Sequence, residues 1–431
     1  MRRITITAVA LAAAGASCLV GCGSGSHASA SGPVHLKYLS LAWQTESIAA
    51  NKQLVAEWNK SHPKIQVDYV QGSWDNIHDQ LVTSFEGGTA PDIIADAADD
   101  IVGFAQQGYL ADISGKIPAS LKSDIPAQSW GTTTFGKGIY GVPFLQEPRM
   151  VIANRKLLQQ AGVSLPSADH PWTWDQFDAA AKKLTHTTAG KTSYGVAWAM
   201  KSPVSATLNL SMGYGGQYLY KDGDKATVKF DAAEQAVPQH IHDEVNVDHS
   251  AAPQALGLSG SDVLPGFFAG QYAMVPLGMS YRQQVAQQAP KGFDWVALPA
   301  PVGTTADQGV SPQTLSVAAT SGHQQESMQF LAFLLNPAHQ ATLARGDWML
   351  PTSAQAAKDP ALTTTQDDWK TGTGMQKDLV AEPAQAVNGY PEWKDKIATP
   401  AFQQYYSGKI TLEQLSQKLV KDGNDVLAQN R

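Results

Sequence analysis

The sequence predicts an α/β protein with two lobes, each built on a doubly wound sheet flanked by helices. Short apolar runs of strand length alternate with segments in which apolar residues recur at helical spacing. The pattern begins near residue 34 and restarts near Tyr140. A chain of 431 residues also exceeds what one hydrophobic core usually supports. Short parallel strands separated by helices place ligands at the carboxyl ends of the strands.

The first half of this pattern predicts three strand-helix pairs. We predict strands at 36–39, 65–69 and 92–94, and helices at 48–58, 77–85 and 101–107. Gly87 and Gly88 are expected to end the second helix, because glycine adopts a positive φ without a steric penalty.

The second half repeats the alternation with a recognisable helix start. Thr173 and Gln176 have the spacing of a capping box, in which each side chain bonds the backbone amide of the other. We predict further strands at 140–144, 150–153, 268–277 and 295–298, and helices from Asn154 to near Gly162, after Thr173, and over 328–335.

The first 22 residues are predicted to direct export and lipid anchoring. Arg2 and Arg3 precede a short apolar run that ends in Leu19-Val20-Gly21-Cys22, the pattern of a lipobox. We expect a signal peptide at 1–21, lipidation of the Cys22 thiol, and a flexible Ser/Gly-rich tether at 22–33. The protein would then be held by its lipid on the extracytoplasmic face of the cell membrane.

Composition excludes several classes of protein. The formal net charge of −7 makes nucleic acid an unlikely partner. Cys18 would leave with the signal peptide and Cys22 would carry the lipid, so no disulfide is expected. His240 and His242 point apart on a predicted helix and are not expected to bind a metal. We found no catalytic motif, and expect no enzyme activity, cofactor or metal.

Five motifs occur in order along the chain: Pro91-Asp92-Ile93-Ile94 with Gly108-Tyr109-Leu110-Ala111-Asp112, Tyr140-Gly141-Val142-Pro143 with Ala153-Asn154-Arg155-Lys156-Leu157-Leu158, 171–177, 268–274 with Gly278, and Leu350-Pro351-Thr352. With these motifs the chain resembles the extracellular solute-binding lipoproteins of ABC importers, in the carbohydrate-binding branch related to maltose-binding protein. The resemblance covers nearly the whole chain after Cys22.

The resemblance implies a type II periplasmic-binding-protein-like fold with the sugar in a cleft between the lobes. By analogy, lobe I comprises 34–145 and 299–350, and lobe II comprises 146–298 and 351–431. It also implies a monomer that delivers a mono- or oligosaccharide to permease subunits driven by a cytoplasmic ATPase. Closure of the cleft around the ligand would create the docking surface.

A sugar site needs aromatic faces for stacking and planar polar groups for paired hydrogen bonds. Most of our candidates follow predicted strands, and Trp393 lies in a segment that contributes to the site in relatives. The proposed ligand-binding residues are Trp43, Gln44, Glu46, Asp96, Asp99, Gln146, Glu147, Arg149, Trp198, Tyr214, Tyr281, Trp348 and Trp393. Tyr281 is included because relatives often carry Trp two residues after the glycine that matches Gly278, where this chain has Ser280.

Structural alternatives exist for several candidates. Trp43 and Trp198 could be packing residues, since Trp is often partly covered. One of Asp96 and Asp99 could instead cap the following helix. Two other functions stay open: a secreted, lipid-anchored glycoside hydrolase, whose paired carboxylates sequence cannot exclude, and a binding protein for a charged solute such as a polyamine or glycerol phosphate. The latter would need a strongly charged cleft.

Overall fold

The structure is a computed structural model that describes residues 32–222 and 225–429. The predicted signal peptide, the lipidation site Cys22 and most of the predicted tether lie outside the described residues. Within those two ranges, the helices are all too short or too polar to cross a membrane.

Strands and helices alternate along the chain, as the periodicity predicts. The strands are β1 Val34–Ser40, β2 Ile65–Gln71, β3 Ile93–Ala97, β4 Thr134–Phe135, β5 Gly138–Ile139, β6 Val142–Gln146, β7 Arg149–Asn154, β8 His186–Thr188, β9 Lys191–Val196, β10 Leu219–Asp222, β11 Lys225–Val228, β12 Tyr272–Gly278, β13 Trp295–Pro299, β14 Gln308–Val310, β15 Gln313–Val317, β16 Leu350–Pro351 and β17 Leu379–Ala381. The helices are α1 Thr45–Ser61, α2 Ile77–Glu86, α3 Ala98–Gln106, α4 Ala119–Asp124, α5 Ala127–Trp130, α6 Arg155–Gln160, α7 Trp174–Leu184, α8 Pro203–Ser211, α9 Ala232–Asn246, α10 Leu264–Phe268, α11 Tyr281–Gln288, α12 Gln324–Leu334, α13 Pro337–Asp347, α14 Trp369–Gly374, α15 Tyr390–Glu392, α16 Thr399–Tyr406, α17 Leu412–Gln417 and α18 Gly423–Gln429.

Lobe I is built on a six-stranded sheet in the order β16-β6-β15-β3-β1-β2. The three strands β1, β2 and β3 are parallel, as predicted. β15 runs antiparallel to both β3 and β6. The sheet is therefore mixed, because the chain leaves lobe I after β6 and later re-enters it through β15.

Lobe II is built on a five-stranded sheet in the order β13-β7-β12-β9-β8. β12 is parallel to β9 and antiparallel to β7. The strand predicted at 268–277 is shorter than expected. Residues up to Phe268 form the end of α10, and Gly270, at φ +72°, turns the chain before β12 begins at Tyr272.

Local sequence signals explain where several elements begin and end. The predicted capping box before α7 is confirmed: Gln176 N–H donates to Thr173 Oγ1 at 3.3 Å, and Thr173 N–H donates to Gln176 Oε1 at 2.9 Å. After α2, Gly88 adopts φ +65°, which an L-residue would adopt only with strain. These signals hold α2 and α7 to the lengths that their apolar stripes predict.

The segment after β16 joins the two lobes. Leu362, Trp369 and Met375 pack in the cluster that holds the lobe I core, which also includes Met279 and Ala297 of lobe II, whereas the buried apolar side chains of 384–427 pack in the lobe II core. Asp368 also accepts a hydrogen bond from the Ala297 amide of β13 at 2.6 Å. Residues 362–375 therefore contact both lobes, and the predicted boundary at residue 351 stays a prediction.

Candidate ligand-binding cleft

A cavity of about 430 Å³ lies between the two lobes, a size typical of small-molecule sites. One wall belongs to lobe I and includes Trp74, His78, Asp96, Asp99 and Asp100. The other wall belongs to lobe II and includes Ser205, Glu382, Gln385, Tyr390 and Lys394. A ligand in this cavity would touch both lobes at once.

The lobe I wall is formed where parallel strands end. Trp74 lies in the loop after β2, and Asp96 is the fourth residue of β3. Asp99 lies in the first turn of α3, which follows β3 directly. The carboxyl ends of neighbouring parallel strands meet at one edge of the sheet, which brings these side chains to one wall.

Asp96 is buried in this wall, with 1 % of its surface exposed. Its Oδ1 accepts the Ala97 amide at 2.8 Å, whereas no donor among the described residues reaches Oδ2. Burial raises the pKa of Asp96 well above its usual range, and the charges of Asp100 and Asp99 add to the effect. A buried acceptor without a donor is costly, so this oxygen needs a partner or a proton.

Neither aspartate caps α3 through its side chain. The helix begins after Ala97, which makes no side-chain cap hydrogen bond. Asp99 instead forms an ion pair with Lys394 across the cleft, at 2.7 Å between Oδ2 and Nζ. The neighbouring Asp100 pairs with His78 at 2.7 Å, and that hydrogen bond raises the pKa of His78.

The lobe II wall contributes a second buried carboxylate, Glu382, which follows β17. Burial raises its pKa to about 7, with the charge of Asp99 adding to the shift. Gln385 Nε2 donates to Glu382 Oε2 at 2.9 Å. The Oε1 of Gln385 finds no donor among the described residues, although the side chain is buried.

Several predicted site residues form a contact between the lobes around Ser280, at the start of α11. Gln44 Nε2 donates to the Ser280 carbonyl at 3.2 Å, and the Ser280 amide donates to Glu147 Oε2 at 2.8 Å. The rings of Trp43 and Tyr281 lie 5.8 Å apart between centroids. Trp43 is 39 % exposed, so one face of this aromatic pair is available.

Glu46 joins both lobes from the first turn of α1. It accepts the Trp348 indole N–H at 2.9 Å, and it accepts Gln283 Nε2 at 3.0 Å from lobe II. Trp348 is buried and lies close to Arg282, at 5.5 Å from the guanidinium carbon to the ring centroid. Trp348 is therefore placed as an interlobe packing residue rather than a stacking platform.

Two further predicted residues lie in or beside the strands that cross between the lobes. Arg149 Nη2 donates to the hydroxyl of Ser205, which lines the cavity, at 2.9 Å. Gln146 is buried at the end of β6, where it pairs with Leu350 of β16. Arg149 therefore stays a candidate at the cavity edge, whereas Gln146 is part of the lobe I sheet.

The structure contradicts the predicted ligand contacts of Trp198 and Trp393. Trp198 is 1 % exposed, stacks on Trp174 at 6.1 Å and donates its indole N–H to Glu244 at 2.5 Å. Trp393 is 0 % exposed in the same lobe II core. Neither ring leaves a free face on which a sugar could stack. For Trp198, packing was the alternative that the sequence left open.

Tyr214 also lies away from the cavity. Its hydroxyl is 3.3 Å from His240 Nε2, and the two rings are stacked. His240 in turn pairs with Asp178 of α7 at 2.8 Å. Tyr214 therefore belongs to a cluster on lobe II around α7 and α9.

Of the cavity wall, sequence reasoning predicted Asp96 and Asp99 and missed the other residues, among them Trp74, Glu382 and Lys394. The strand-end rule would have found Trp74, because it follows β2 by three residues. Glu382 and Lys394 lie in a segment of short helical turns, where no strand periodicity marks the residues that face the cleft. Across the described residues, the cavity wall included, no group of three or more His, Cys, Asp or Glu residues is arranged to hold a metal ion.

Comparison with known proteins identifies relatives that cover most of the chain. A lipoprotein in the oleD 5' region of Streptomyces antibioticus, itself uncharacterized, is 57 % identical over 397 residues, which cover 91 % of this chain and 87 % of that protein. The diacetylchitobiose binding protein DasA of Streptomyces coelicolor is 25 % identical over 308 residues, or 67 % of this chain and 66 % of that protein.

Solved structures share the fold. The ABC substrate-binding protein Lmo0181 of Listeria monocytogenes, solved in complex with cycloalternan, superposes with a TM-score of 0.76 at 22 % identity. The match covers 92 % of this chain and 98 % of that one. The family model described as bacterial extracellular solute-binding protein matches residues 42–341. The chain belongs to this family of bacterial extracellular solute-binding proteins.

Proposed function

We propose that the protein is the substrate-binding component of an ABC sugar importer. It captures a mono- or oligosaccharide between its lobes and delivers it to permease subunits driven by a cytoplasmic ATPase. The observation that carries this proposal is the cavity shared by both lobes, with Trp74 as an aromatic face and Asp96 and Gln385 as buried polar groups. The sugars named for DasA and Lmo0181 support the same class of ligand.

The mechanism is capture without chemistry. A ligand that contacts Trp74 of lobe I and Glu382 of lobe II binds more strongly when the two walls are close together. It therefore shifts the population toward the closed cleft by its difference in affinity for the two forms. The Gln44–Ser280 hydrogen bond, which joins the lobes, would form and break with the same movement.

A thermal-shift screen tests this function. The full-length chain, purified in detergent, is heated with a panel of mono- and oligosaccharides. A sugar present at a hundred times its Kd stabilises the fold by about 2.7 kcal/mol, because it binds only the native state. We expect at least one sugar to raise the melting temperature, and a smaller rise for Trp74→Ala. A flat response to every sugar would contradict the proposal.

The same sugar should be recovered unchanged. We propose that the cleft binds without catalysis, although several carboxylates line it and a glycoside hydrolase would also use carboxylates. The stabilising sugar is incubated with the protein and analysed by chromatography. Shorter products that form at a rate proportional to protein, and that disappear with Asp96→Asn, would instead favour the hydrolase.

We also propose that Cys22 carries the lipid that holds the protein on the extracytoplasmic membrane face. The lipobox sequence supports this assignment, and the 57 % identical relative is described as a lipoprotein. Cys22→Ser should abolish labelling by a radioactive fatty acid, while Cys18→Ser serves as the matched control and should leave labelling intact. Labelled Cys22→Ser protein would overturn the proposal.

A further inference from the structure

The cavity between the lobes is lined by an excess of acidic side chains. Among the described residues at its walls, one lysine and one histidine face six carboxylates: Asp79, Asp96, Asp99, Asp100, Glu382 and Asp395. The hydroxyl groups of a neutral sugar can donate to carboxylates, but a cationic ligand is attracted in addition by the net negative charge of such walls. The charge of the walls therefore bears on the chemical class of the ligand.

Two of these carboxylates already have cationic partners. Asp99 pairs with Lys394, and Asp100 pairs with His78, each at 2.7 Å. Within residues 32–222 and 225–429, no Lys, Arg or His nitrogen lies within 4.0 Å of a carboxyl oxygen of Asp96 or Glu382. These two acids, at 1 % and 5 % exposure, are also deeply buried.

Hydrogen-bond acceptors without donors occur on both walls. In lobe I the acceptor is Asp96 Oδ2, and in lobe II it is Gln385 Oε1, whose side chain is 1 % exposed. Gln385 uses its Nε2 to hold Glu382, so its carbonyl oxygen remains for another donor. Protein atoms cover both oxygens, so the walls must move to admit a donor. Buried acceptors are normally satisfied, and a ligand that supplies several donors and a positive charge would then satisfy this set.

The carboxyl group of Asp96 belongs to the charged side of the cavity. Its ionisation responds to Asp100, Asp99 and Lys394, which are all residues of the cavity wall. Lys394 itself places an alkylammonium group from lobe II against Asp99 of lobe I. The cleft thus already stabilises one primary ammonium ion between its walls, and two buried acids remain without one.

We propose that the sugar bound in this cleft carries a protonated amino group, which Asp96 of lobe I and the Glu382–Gln385 pair of lobe II receive together. This inference rests on the proposed carbohydrate function and narrows its substrate class to amino sugars. An ammonium ion offers three N–H donors and a charge, which matches two unpaired acids and an unpartnered amide oxygen. Trp74 supplies the apolar face for the sugar ring.

The burial of Asp96 and Glu382 predicts that protons are released when a ligand with an ammonium group binds. Burial raises the pKa of Asp96, with Asp100 and Asp99 adding and Lys394 opposing. Burial likewise raises the pKa of Glu382 to about 7, with Asp99 adding while Arg149 and Lys394 oppose. In the empty cleft at slightly acid pH Glu382 holds a proton, burial favours the protonated form of Asp96, and an arriving ammonium ion favours the charged forms of both. An amino sugar should therefore release protons when it binds, whereas its neutral counterpart should not.

Calorimetric titration of the full-length chain in detergent tests the ligand class. Matched sets are compared at about pH 6, where the amines are protonated: glucosamine, N-acetylglucosamine and glucose; galactosamine, N-acetylgalactosamine and galactose; and the corresponding β-1,4-linked glucosamine disaccharide, diacetylchitobiose and cellobiose. We expect one amino sugar to bind about tenfold or more tightly than its acetylated and neutral counterparts. Repeating the titration in two buffers of different ionisation enthalpy should reveal released protons for that sugar.

Three variants locate the recognition. Asp96→Asn and Glu382→Gln keep the side-chain shapes and should each lower affinity for the amino sugar far more than affinity for its neutral counterpart, so that most of the preference for the amine is lost. Glu244→Gln is the matched control, because Glu244 is a buried acid with an unpartnered oxygen in the lobe II core, away from the cavity wall. A purely structural effect would lower both affinities together and leave their ratio unchanged, and that result for both cleft variants would overturn the inference.

The results with different ligands distinguish a failure of this inference from a failure of the proposed function. If neutral or acetylated sugars bind at least as well as every amino sugar, the carbohydrate function holds and the amine preference is wrong. Spermidine tests the other source of an ammonium group, and spermidine binding as tight as that of the best amino sugar would overturn the assignment to a sugar. If no member of the sets binds, the inference is overturned, and the outcome of the broader thermal-shift screen decides the carbohydrate function separately.

Discussion

The cleft and the lobe II core both contain buried acids with unpartnered oxygens, but the two environments differ. In the lobe II core, Glu244 is 0 % exposed and accepts the Trp198 indole N–H at 2.5 Å. Burial raises its pKa well above the usual range, and a neighbouring Asp178 adds to the shift through its charge and a hydrogen bond. In the cleft, Asp96 borders a cavity of about 430 Å³.

The difference lies in where the missing donor comes from. Glu244 Oε1 and Asp178 Oδ1 both lack a donor among the described residues, yet a proton on Glu244 would satisfy both oxygens. The core cluster is thus complete within the protein. Asp96 and Gln385 belong to opposite walls of the cavity, and no described donor reaches Asp96 Oδ2 or Gln385 Oε1, which protein atoms cover; a donor from a ligand can reach them only when the walls move. A buried acceptor without a donor therefore indicates a binding site only where it faces space that a ligand can enter.

The largest effect should come from removing the core tryptophan. Trp198→Ala deletes a ring that is 1 % exposed and packs against Trp174 and Phe177. Such truncations lower the free energy of unfolding by roughly 3–5 kcal/mol, because they remove buried contacts and leave a cavity. Urea denaturation measures this change. The sugar affinity of the folded fraction should stay the same. An unchanged urea midpoint together with lost affinity would instead indicate that Trp198 contacts the ligand.

A smaller effect is expected from neutralising the buried acid of the lobe II wall. The pKa of Glu382 is raised from 4.5 to about 7 in the fold. The folded state therefore keeps a proton that the unfolded chain releases, and stability falls as the pH rises from about 4.5 through about 7. Glu382→Gln removes this penalty and should raise the free energy of unfolding by about 3 kcal/mol above pH 8 without ligand.

The pH profile provides the control for this prediction. Near pH 4 the acid is protonated in both states, so wild type and Glu382→Gln should unfold at similar urea concentrations. The difference in the free energy of unfolding between wild type and Glu382→Gln should develop between about pH 5 and 7. Glu244→Gln should show a gap of the same sign, because burial raises the pKa of that group too. A Glu382→Gln profile parallel to wild type across this range would contradict the buried, protonated state of Glu382.

The smallest change in stability, with a clear change in affinity, is expected for the cleft aromatics. Trp74→Ala removes a partly exposed ring from the cavity wall. Stacking is worth roughly 0.5–1.5 kcal/mol beyond area burial, so the sugar Kd should rise about tenfold. Trp43→Ala, which removes a 39 % exposed ring at the contact with Tyr281, should have a smaller effect. Calorimetry and urea denaturation on each variant measure both quantities, and a larger loss for Trp43→Ala would move the site toward Tyr281.

The sequence predicted the lobes and one wall of the cleft better than the other. Strands β1 to β3 have regular apolar patterns, so the residues at their carboxyl ends could be located, and Asp96 and Asp99 do line the cavity. The opposite wall comes from residues near Glu382 and Lys394, in short helical turns without a repeating pattern. Its position depends on how that segment packs against lobe II, which local periodicity does not encode.

The tryptophans were harder to assign for a related reason. Trp74 and Trp198 both follow strands, by three and two residues, and nothing local distinguishes them. The helices α7 and α9 cover Trp198, which stacks on Trp174 and bonds Glu244. Whether a ring after a strand stays open therefore depends on which distant helix packs over it.

A crystal structure of the complex tests the central claim most directly. The protein is crystallised with the sugar that gives the largest thermal shift. Our account predicts the sugar in the cavity between the lobes, with its ring against Trp74 and a donor at about 2.7–3.2 Å from Asp96 Oδ2. A sugar bound elsewhere, such as beside Tyr214 on lobe II, while the cavity between the lobes is empty, would contradict our account.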